Sequence, residues 1–200
     1  MNHFIGKEAP NFIAKAVMSD NSIDDNFNLK KYAANKKAIL FFYPLDFTLV
    51  CPSEIIAFNN RLGEFSSKDT KVIGVSVDSH FSHLAWKNIP TKKGGIGDIQ
   101  FPLVSDISKE IAGHYNVLTD EYVSLRATFL IDENFIIRHY LVNDLPLGRN
   151  VDETLRMIDA LDYYTKNGEV CPAGWNKGNE AMKPTQQGVE DYLITNADKL

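Results

Sequence analysis

Cysteine is scarce: the 200 residues hold only Cys51 and Cys171, far apart in the chain. Two cysteines do not build a disulfide framework, and the count points to a reducing compartment, where any disulfide is transient and catalytic. The expected location is cytoplasmic. Basic residues are not in excess either. Twenty-one Lys and Arg face twenty-six Asp and Glu, for a net charge of −5. The lysine pairs at 30–31, 36–37 and 92–93 are scattered rather than striped, so neither nucleic acid nor an anionic membrane is expected as partner. The longest apolar run, residues 38–43, is far too short to cross a bilayer. The opening "MNHFIGKEAPNF" lacks the basic start and apolar stretch of a signal peptide. No repeat and no low-complexity tract is present. Cys-x-x-Cys is absent, because Thr48 stands three before Cys51. "GGIG" at 94–97 fits no nucleotide-binding pattern. His80 and His83 share a helical spacing, but with no further His or Cys nearby they do not make a metal set.

What is present is an alternation of strand and helix signals. "NFIAKAVM" reads as a strand, "SDNSIDDN" as turn, and "LKKYAAN" as a short helix. "AILFFY" is a buried strand halted by Pro44. From Pro52 a helix is predicted, because Ile55, Phe58, Leu62 and Phe65 recur on one face. "KVIGVSV" is another strand, followed by a helix through Trp86 capped by Asp78 or Ser79. "FPLVSD" and "ISKEIAGHY" repeat the pattern, and "RATFLID" with "FIIRHYLV" reads as a hairpin. A long helix over 152–166 stops at "NG", an irregular Gly- and Pro-rich stretch follows, and a last helix covers "QQGVEDYLITN". The pattern predicts an α/β fold with a mixed central sheet, residues 1–167, and a C-terminal arm, residues 168–200, that carries Cys171.

Cys51 sits between the strand run and the helix, in "FFYPLDFTLVCPSEIIAF". A cysteine on a first helical turn faces unpaired backbone N–H groups and the positive end of the helix dipole, and both favour thiolate over thiol. Thr48 is within reach of the sulfur across the turn, and Pro44, which has no N–H, can shield it. Arg126 in "SLRATFLID" and Arg149 in "PLGRN" are candidate fixed cations. The same residues also fit a packed thiol, a turn threonine and a surface arginine. Spacing alone leaves both readings open.

The long motifs carry more. Pro44, Thr48 and Cys51 match the Pro-x-x-x-Thr-x-x-Cys core of the peroxiredoxins, and the segment around them resembles that family's active site. "GEVCPAGW" resembles the segment bearing the resolving cysteine of the typical two-cysteine subclass, here Cys171. "LRATFLID" and "NDLPLGRN" are similar to family segments that place Arg126 in the active site and Arg149 behind it. The likeness runs over nearly the whole chain, with the flavour of bacterial alkyl-hydroperoxide-reductase peroxidase subunits. It implies a thioredoxin-like fold and a thiol peroxidase without metal or organic cofactor. By the same resemblance Cys51 attacks the peroxide and becomes a sulfenic acid, which Cys171 of the partner subunit converts to a disulfide. Thr48 and Arg126 hold the peroxide, Glu54 and Arg149 orient Arg126, and an external thiol reductant (thioredoxin or a flavoprotein disulfide reductase) reopens the disulfide. A homodimer is implied, with a decamer as a family expectation.

Two positions depart from the pattern of members prone to overoxidation. "GGIG" replaces Gly-Gly-Leu-Gly, and "DYLITN" places Leu193 where Phe would follow Tyr192. The smaller residue implies a looser tail and resistance to overoxidation. Two competing readings are a holdase or redox sensor, which consumes about one peroxide per chain, and a thiol–disulfide exchanger, against which Thr48 in place of a second cysteine speaks.

Overall fold

Six consecutive buried residues, Lys37–Phe42, form strand β3 inside a seven-stranded mixed sheet. Its neighbours are β1 (Ile13–Val17), β2 (Ile23–Asn28), β4 (Thr70–Ser76), β5 (Leu103–Ser105), β6 (Arg126–Ile131) and β7 (Ile137–Asn143), in the order β2-β1-β5-β4-β3-β6-β7. β3 and β4, and β4 and β5, are parallel; the remaining pairs are antiparallel. This computed structural model describes residues 3–200, and the chain divides into one unit ending at Arg149 and a second over Asn150–Leu200. The first unit has the α/β fold with a mixed sheet that the strand and helix alternation predicts, flanked by helices in the thioredoxin-like arrangement that the resemblance implies.

Because successive strand residues face opposite sides, β3 builds two cores. Ala38, Leu40 and Phe42 join Phe129, Tyr115 and Ile111 on one side. On the other, Phe41 stacks on Phe58 at 4.5 Å and meets Phe101 edge-on at 5.6 Å. Gly74 makes room for that ring: a Cβ there would lie 2.9 Å from both Phe41 Cζ and Leu103 Cδ2.

Two elements differ from the sequence reading. The stretch read as turn, residues 19–26, overlaps the first four residues of β2, an edge strand in which only Phe27 is buried. It is held by its backbone pairing to β1 rather than by an apolar face, so its sequence shows no alternation. After the short α1 (Leu29–Tyr32), the single helix expected from Pro52 is two, α2 (Cys51–Asn60) and α3 (Leu62–Ser67), separated by Arg61 with non-helical dihedrals. The apolar face survives the break, with Phe58 and Phe65 ring centroids 5.9 Å apart. Helix α4 (His80–Lys87) is capped by Ser79, whose Oγ accepts from the Ser82 N–H at 3.2 Å, and the short α5 (Glu110–His114) follows β5.

The second unit contains α6 (Val151–Asn167), capped by Asn150 and ended by Gly168 at φ 69°, and α7 (Gln186–Asn196). One face of α6 carries Arg156, Ala160 and Tyr163, four and three apart. Against it lies the segment after Gly168. Tyr163 donates to Glu169 at 2.7 Å, and Arg156 Nη1 donates to the Trp175 carbonyl at 2.8 Å. Trp175, 2% exposed, packs on Tyr163 at 5.0 Å.

Candidate active site

β3 ends at Phe42, and α2 begins with Cys51 at its first residue, so residues 43–50 form the loop that delivers the cysteine. Pro44 is buried in this loop. Val50, the residue before the helix, supplies no side-chain cap; Pro52 has no N–H, and the Ser53 and Glu54 N–H groups donate to the Val50 carbonyl at 3.0 and 3.4 Å, so the helix start acts on the sulfur through its positive dipole end. Cys51 is fully buried. Thr48 Oγ1 lies 2.9 Å from Cys51 Sγ and 2.7 Å from the Leu45 carbonyl oxygen. A hydroxyl has one proton to give, so Thr48 donates either to the carbonyl or to the sulfur. A thiolate claims it for the sulfur.

The second donor is Arg126, at the start of β6. Its Nη1 reaches Cys51 Sγ at 3.3 Å and Glu54 Oε2 at 2.7 Å, and its Nε donates to the Leu145 carbonyl at 2.6 Å. The guanidinium is therefore fixed on two sides and points at the sulfur from the third. It is only 4% exposed, which rules out the surface ion-pair reading of this arginine. Glu54 lies one turn along α2 from Cys51 and binds both arginines. Arg149 donates to it through Nε at 2.9 Å, Nη2 at 2.8 Å and its backbone N–H at 3.0 Å. Arg149 Nη1 also donates to the carbonyls of Phe42 and Ala127, both at 2.8 Å, tying the carboxylate to β3 and β6.

One carboxylate between two guanidiniums leaves the cluster one positive charge in excess beside the sulfur. That charge favours any negative charge formed there, and burial makes the effect larger than in water. Burial pushes the Glu54 carboxyl upward, but the Arg149 hydrogen bonds and charge, with Arg126 behind them, outweigh it and hold the group below its ordinary value of 4.5. A depressed value means that the folded state gains from Glu54 above about pH 4.5 and loses that gain as pH falls through the lowered value. Urea midpoints measured down a pH series should therefore drop more steeply below that point in wild type than in Glu54→Gln. Parallel curves would show that the carboxylate does not carry this linkage.

Cys171 lies in the second unit, on the face of α6 already described. Its Sγ is 3.6 Å from the Ala160 carbonyl. Burial raises this thiol above its ordinary value, with Arg156 opposing. Both cysteines are free thiols. Of the residues singled out from the sequence, Pro44, Thr48, Cys51, Glu54, Arg126 and Arg149 converge in the first unit. Among the described residues no group of three or more His, Cys, Asp or Glu is arranged to hold a metal ion. His83 instead bonds Asp46 Oδ2 at 2.8 Å and the Val104 carbonyl at 3.2 Å. Two residues of the setting had no sequence signal: Ser124, which donates to the Tyr43 carbonyl at 2.8 Å, and Leu145, which contributes only its backbone.

The profile of the AhpC/TSA family matches residues 5–140, and that of the C-terminal domain of 1-Cys peroxiredoxin matches residues 160–194, a span that here contains a second cysteine. Alkyl hydroperoxide reductase C of Helicobacter pylori (strain ATCC 700392 / 26695) is 55% identical over 196 residues, covering 98% of this chain and 99% of its own. Peroxiredoxin-1 of Gallus gallus is 52% identical over 191 residues, 95% of each chain. The crystal structure of reduced Plasmodium vivax 2-Cys peroxiredoxin superposes with a TM-score of 0.93 at 53% identity, covering 96% of this chain and all of that one. No described helix is long and apolar enough to cross a membrane. With a buried cysteine opening a helix under an arginine and a threonine, and with matches spanning nearly its whole length, the chain belongs to the AhpC/TSA family of peroxiredoxins, as a thiol peroxidase.

Proposed function

We propose that the protein reduces hydrogen peroxide and organic hydroperoxides through Cys51, with Cys171 of a second copy as the resolving thiol. The observation that carries this reading is the pair of donors on one buried sulfur, Thr48 Oγ1 at 2.9 Å and Arg126 Nη1 at 3.3 Å. The Cys51 thiolate attacks one peroxide oxygen, and the O–O bond breaks. The other oxygen leaves as hydroxide or alkoxide and is protonated to water or an alcohol. Sulfur is oxidised to a sulfenic acid. Thr48 and Arg126 bind the peroxide and stabilise the charge that grows on it, Glu54 and Arg149 keep Arg126 aimed, and Pro44 shields the thiolate from water. The Cys171 thiolate then attacks the sulfenic sulfur, forming the disulfide and releasing hydroxide. A thiol reductant, thioredoxin or a flavoprotein disulfide reductase, returns both cysteines to thiols. The functional unit is a homodimer, and the family likeness extends the expectation to a decamer of such dimers.

A disulfide requires Cα atoms about 5.5 Å apart. A fully buried sulfur on a first helical turn does not offer that approach. Residues 45–53 therefore unwind, and the Cys171 segment leaves its place, in each cycle. Amide hydrogen exchange should be faster in both segments in the disulfide form than in the reduced form; identical exchange would sink the idea.

The resolving assignment is tested by titrating reduced protein with peroxide and reading a non-reducing gel. About one peroxide per chain should convert wild type to a covalent dimer. Cys171→Ser should consume that one equivalent without cross-linking. With reductant present wild type should consume many equivalents, whereas a sensor or holdase stops near one. A covalent dimer formed by Cys171→Ser would remove Cys171 from the cycle.

A further inference from the structure

The peroxide chemistry uses Thr48, Cys51 and the arginines, but it leaves unexplained why a fully buried acid lies two residues before Thr48. The Asp46 and His83 side chains are both completely inaccessible. Asp46 Oδ1 accepts from Tyr43 OH at 2.9 Å, and Asp46 Oδ2 lies 2.8 Å from His83 Nδ1. Its backbone N–H donates to Asp78 Oδ2 at 2.8 Å, and that oxygen is itself held by Ser76 Oγ at 2.6 Å. His83 Nε2 faces the Val104 carbonyl at 3.2 Å. Each ring nitrogen of His83 thus faces an oxygen acceptor, the Asp46 carboxylate on one side and the Val104 carbonyl on the other. Asp46 is thus tied by backbone and side chain to β4, α4 and the end of β3.

The rest of the loop has little comparable hold. Phe47 stands at φ 57° and is 55% exposed, with its ring leaning on Trp86 at 5.5 Å, and Leu49 is 95% exposed. From Asp46 the chain turns through this left-handed residue straight to Thr48. The Oγ1 of Thr48 must reach a sulfur on the next element at hydrogen-bond distance. An error of about 1 Å in such placement costs on the order of a hundredfold in rate.

We propose that Asp46, clamped between Tyr43 and His83, is a positioning residue for the peroxide reaction: it sets the loop so that the Thr48 hydroxyl meets Cys51. This rests on the reading above that Thr48 binds the peroxide. Asp46 touches neither sulfur nor substrate and acts through Thr48. The clamp also explains the polar choice. An apolar side chain at 46 fixes no orientation, whereas one carboxylate with two partners and a bonded N–H fixes the chain direction at the last buried residue before Thr48.

The test reads the rate of Cys51 oxidation by hydrogen peroxide, trapped as the sulfenic adduct in full-length Cys171→Ser protein, where only the first step is seen. Asp46→Ala should lower the rate about thirtyfold, and Thr48→Val about a hundredfold. The double variant should be no more than about twofold slower than Thr48→Val, because the two act as one unit. Asp46→Asn has an amide oxygen for Tyr43 and an N–H for His83 Nδ1, and should recover to within about threefold of the parent. Alkylation of Cys51 by iodoacetamide, which needs no peroxide site, should change less than about threefold in Asp46→Ala. If Asp46→Ala does not fold, Tyr43→Phe takes its place, with about a fivefold loss that disappears in the Thr48→Val background. Full multiplication of the two losses, an equal fall in alkylation, or an unchanged Asp46→Ala rate each overturns the proposal. An unchanged Thr48→Val rate is a different pattern: it overturns the role of Thr48 itself, and the positioning role falls with it.

Discussion

Cys51→Ser is expected to abolish peroxide reduction, with a loss of at least about 10⁴-fold in rate. The substitution changes one atom in a fully buried position. The fold and the donors around the site should therefore persist. What disappears is the nucleophile. A serine hydroxyl is scarcely ionised at neutral pH, and the site offers no base to activate it. Thr48 and Arg126 are donors to the sulfur, and both Glu54 oxygens are already engaged by guanidiniums. The site therefore offers donors that stabilise an anion and no free acceptor that could create one by removing a proton. Residual peroxide measured against time, with and without reductant, checks the expectation. A serine variant retaining more than about one hundredth of wild-type turnover would move the chemistry away from Cys51.

Arg126→Met should lower the rate of Cys51 oxidation by about 10² to 10³, the range for removing one donor that faces developing charge. The methionine is of similar length and fills the space, so the loss comes from the charge and the donors. Glu54 keeps Arg149 through three hydrogen bonds, so the carboxylate is not left unpaired and the unit should stay folded. Arg126→Lys should recover little, remaining at least about tenfold slow. A single ammonium on a flexible stem cannot hold the Leu145 carbonyl, bind Glu54 and point at the sulfur together, as the planar fork does at 2.6, 2.7 and 3.3 Å. Stopped-flow oxidation of each variant, beside its thermal melt, checks this. A lysine variant as fast as wild type would show that charge alone suffices, and that the three-way fixation of Arg126 is irrelevant to rate.

Much of the site was legible because much of it is local. Pro44, Thr48 and Cys51 lie within eight positions, and a turn entering a helix places them together whatever the rest of the chain does. Glu54 follows three residues later on the same helix. The buried strand before them shows as an apolar run, because both its faces are covered. Where the reading failed, the physics was not in the local pattern. Strand β2 is an edge strand with a solvated face, and its evidence is backbone pairing with β1. The break at Arg61 leaves the spacing of Phe58 and Phe65 intact, so periodicity does not report it.

The chemical type is legible in the long motifs: a cysteine opening a helix, a threonine three before it, two arginines in matching segments, and the family these resemble. How the two arginines differ depends on the fold. Arg126 and Arg149 lie 72 and 95 positions from Glu54, and both come to it because β6 pairs with β3, the strand from which the Cys51 loop departs. Arg126 then faces the sulfur, while Arg149 turns to the carboxylate and to two strand carbonyls. Asp46 and His83, 37 positions apart, likewise become a buried pair only through the packing of α4 beside the loop. Spacing along a chain specifies neighbours within one turn or one strand. Contacts between elements depend on which strands pair and which faces are buried, and that is settled by the whole sheet at once.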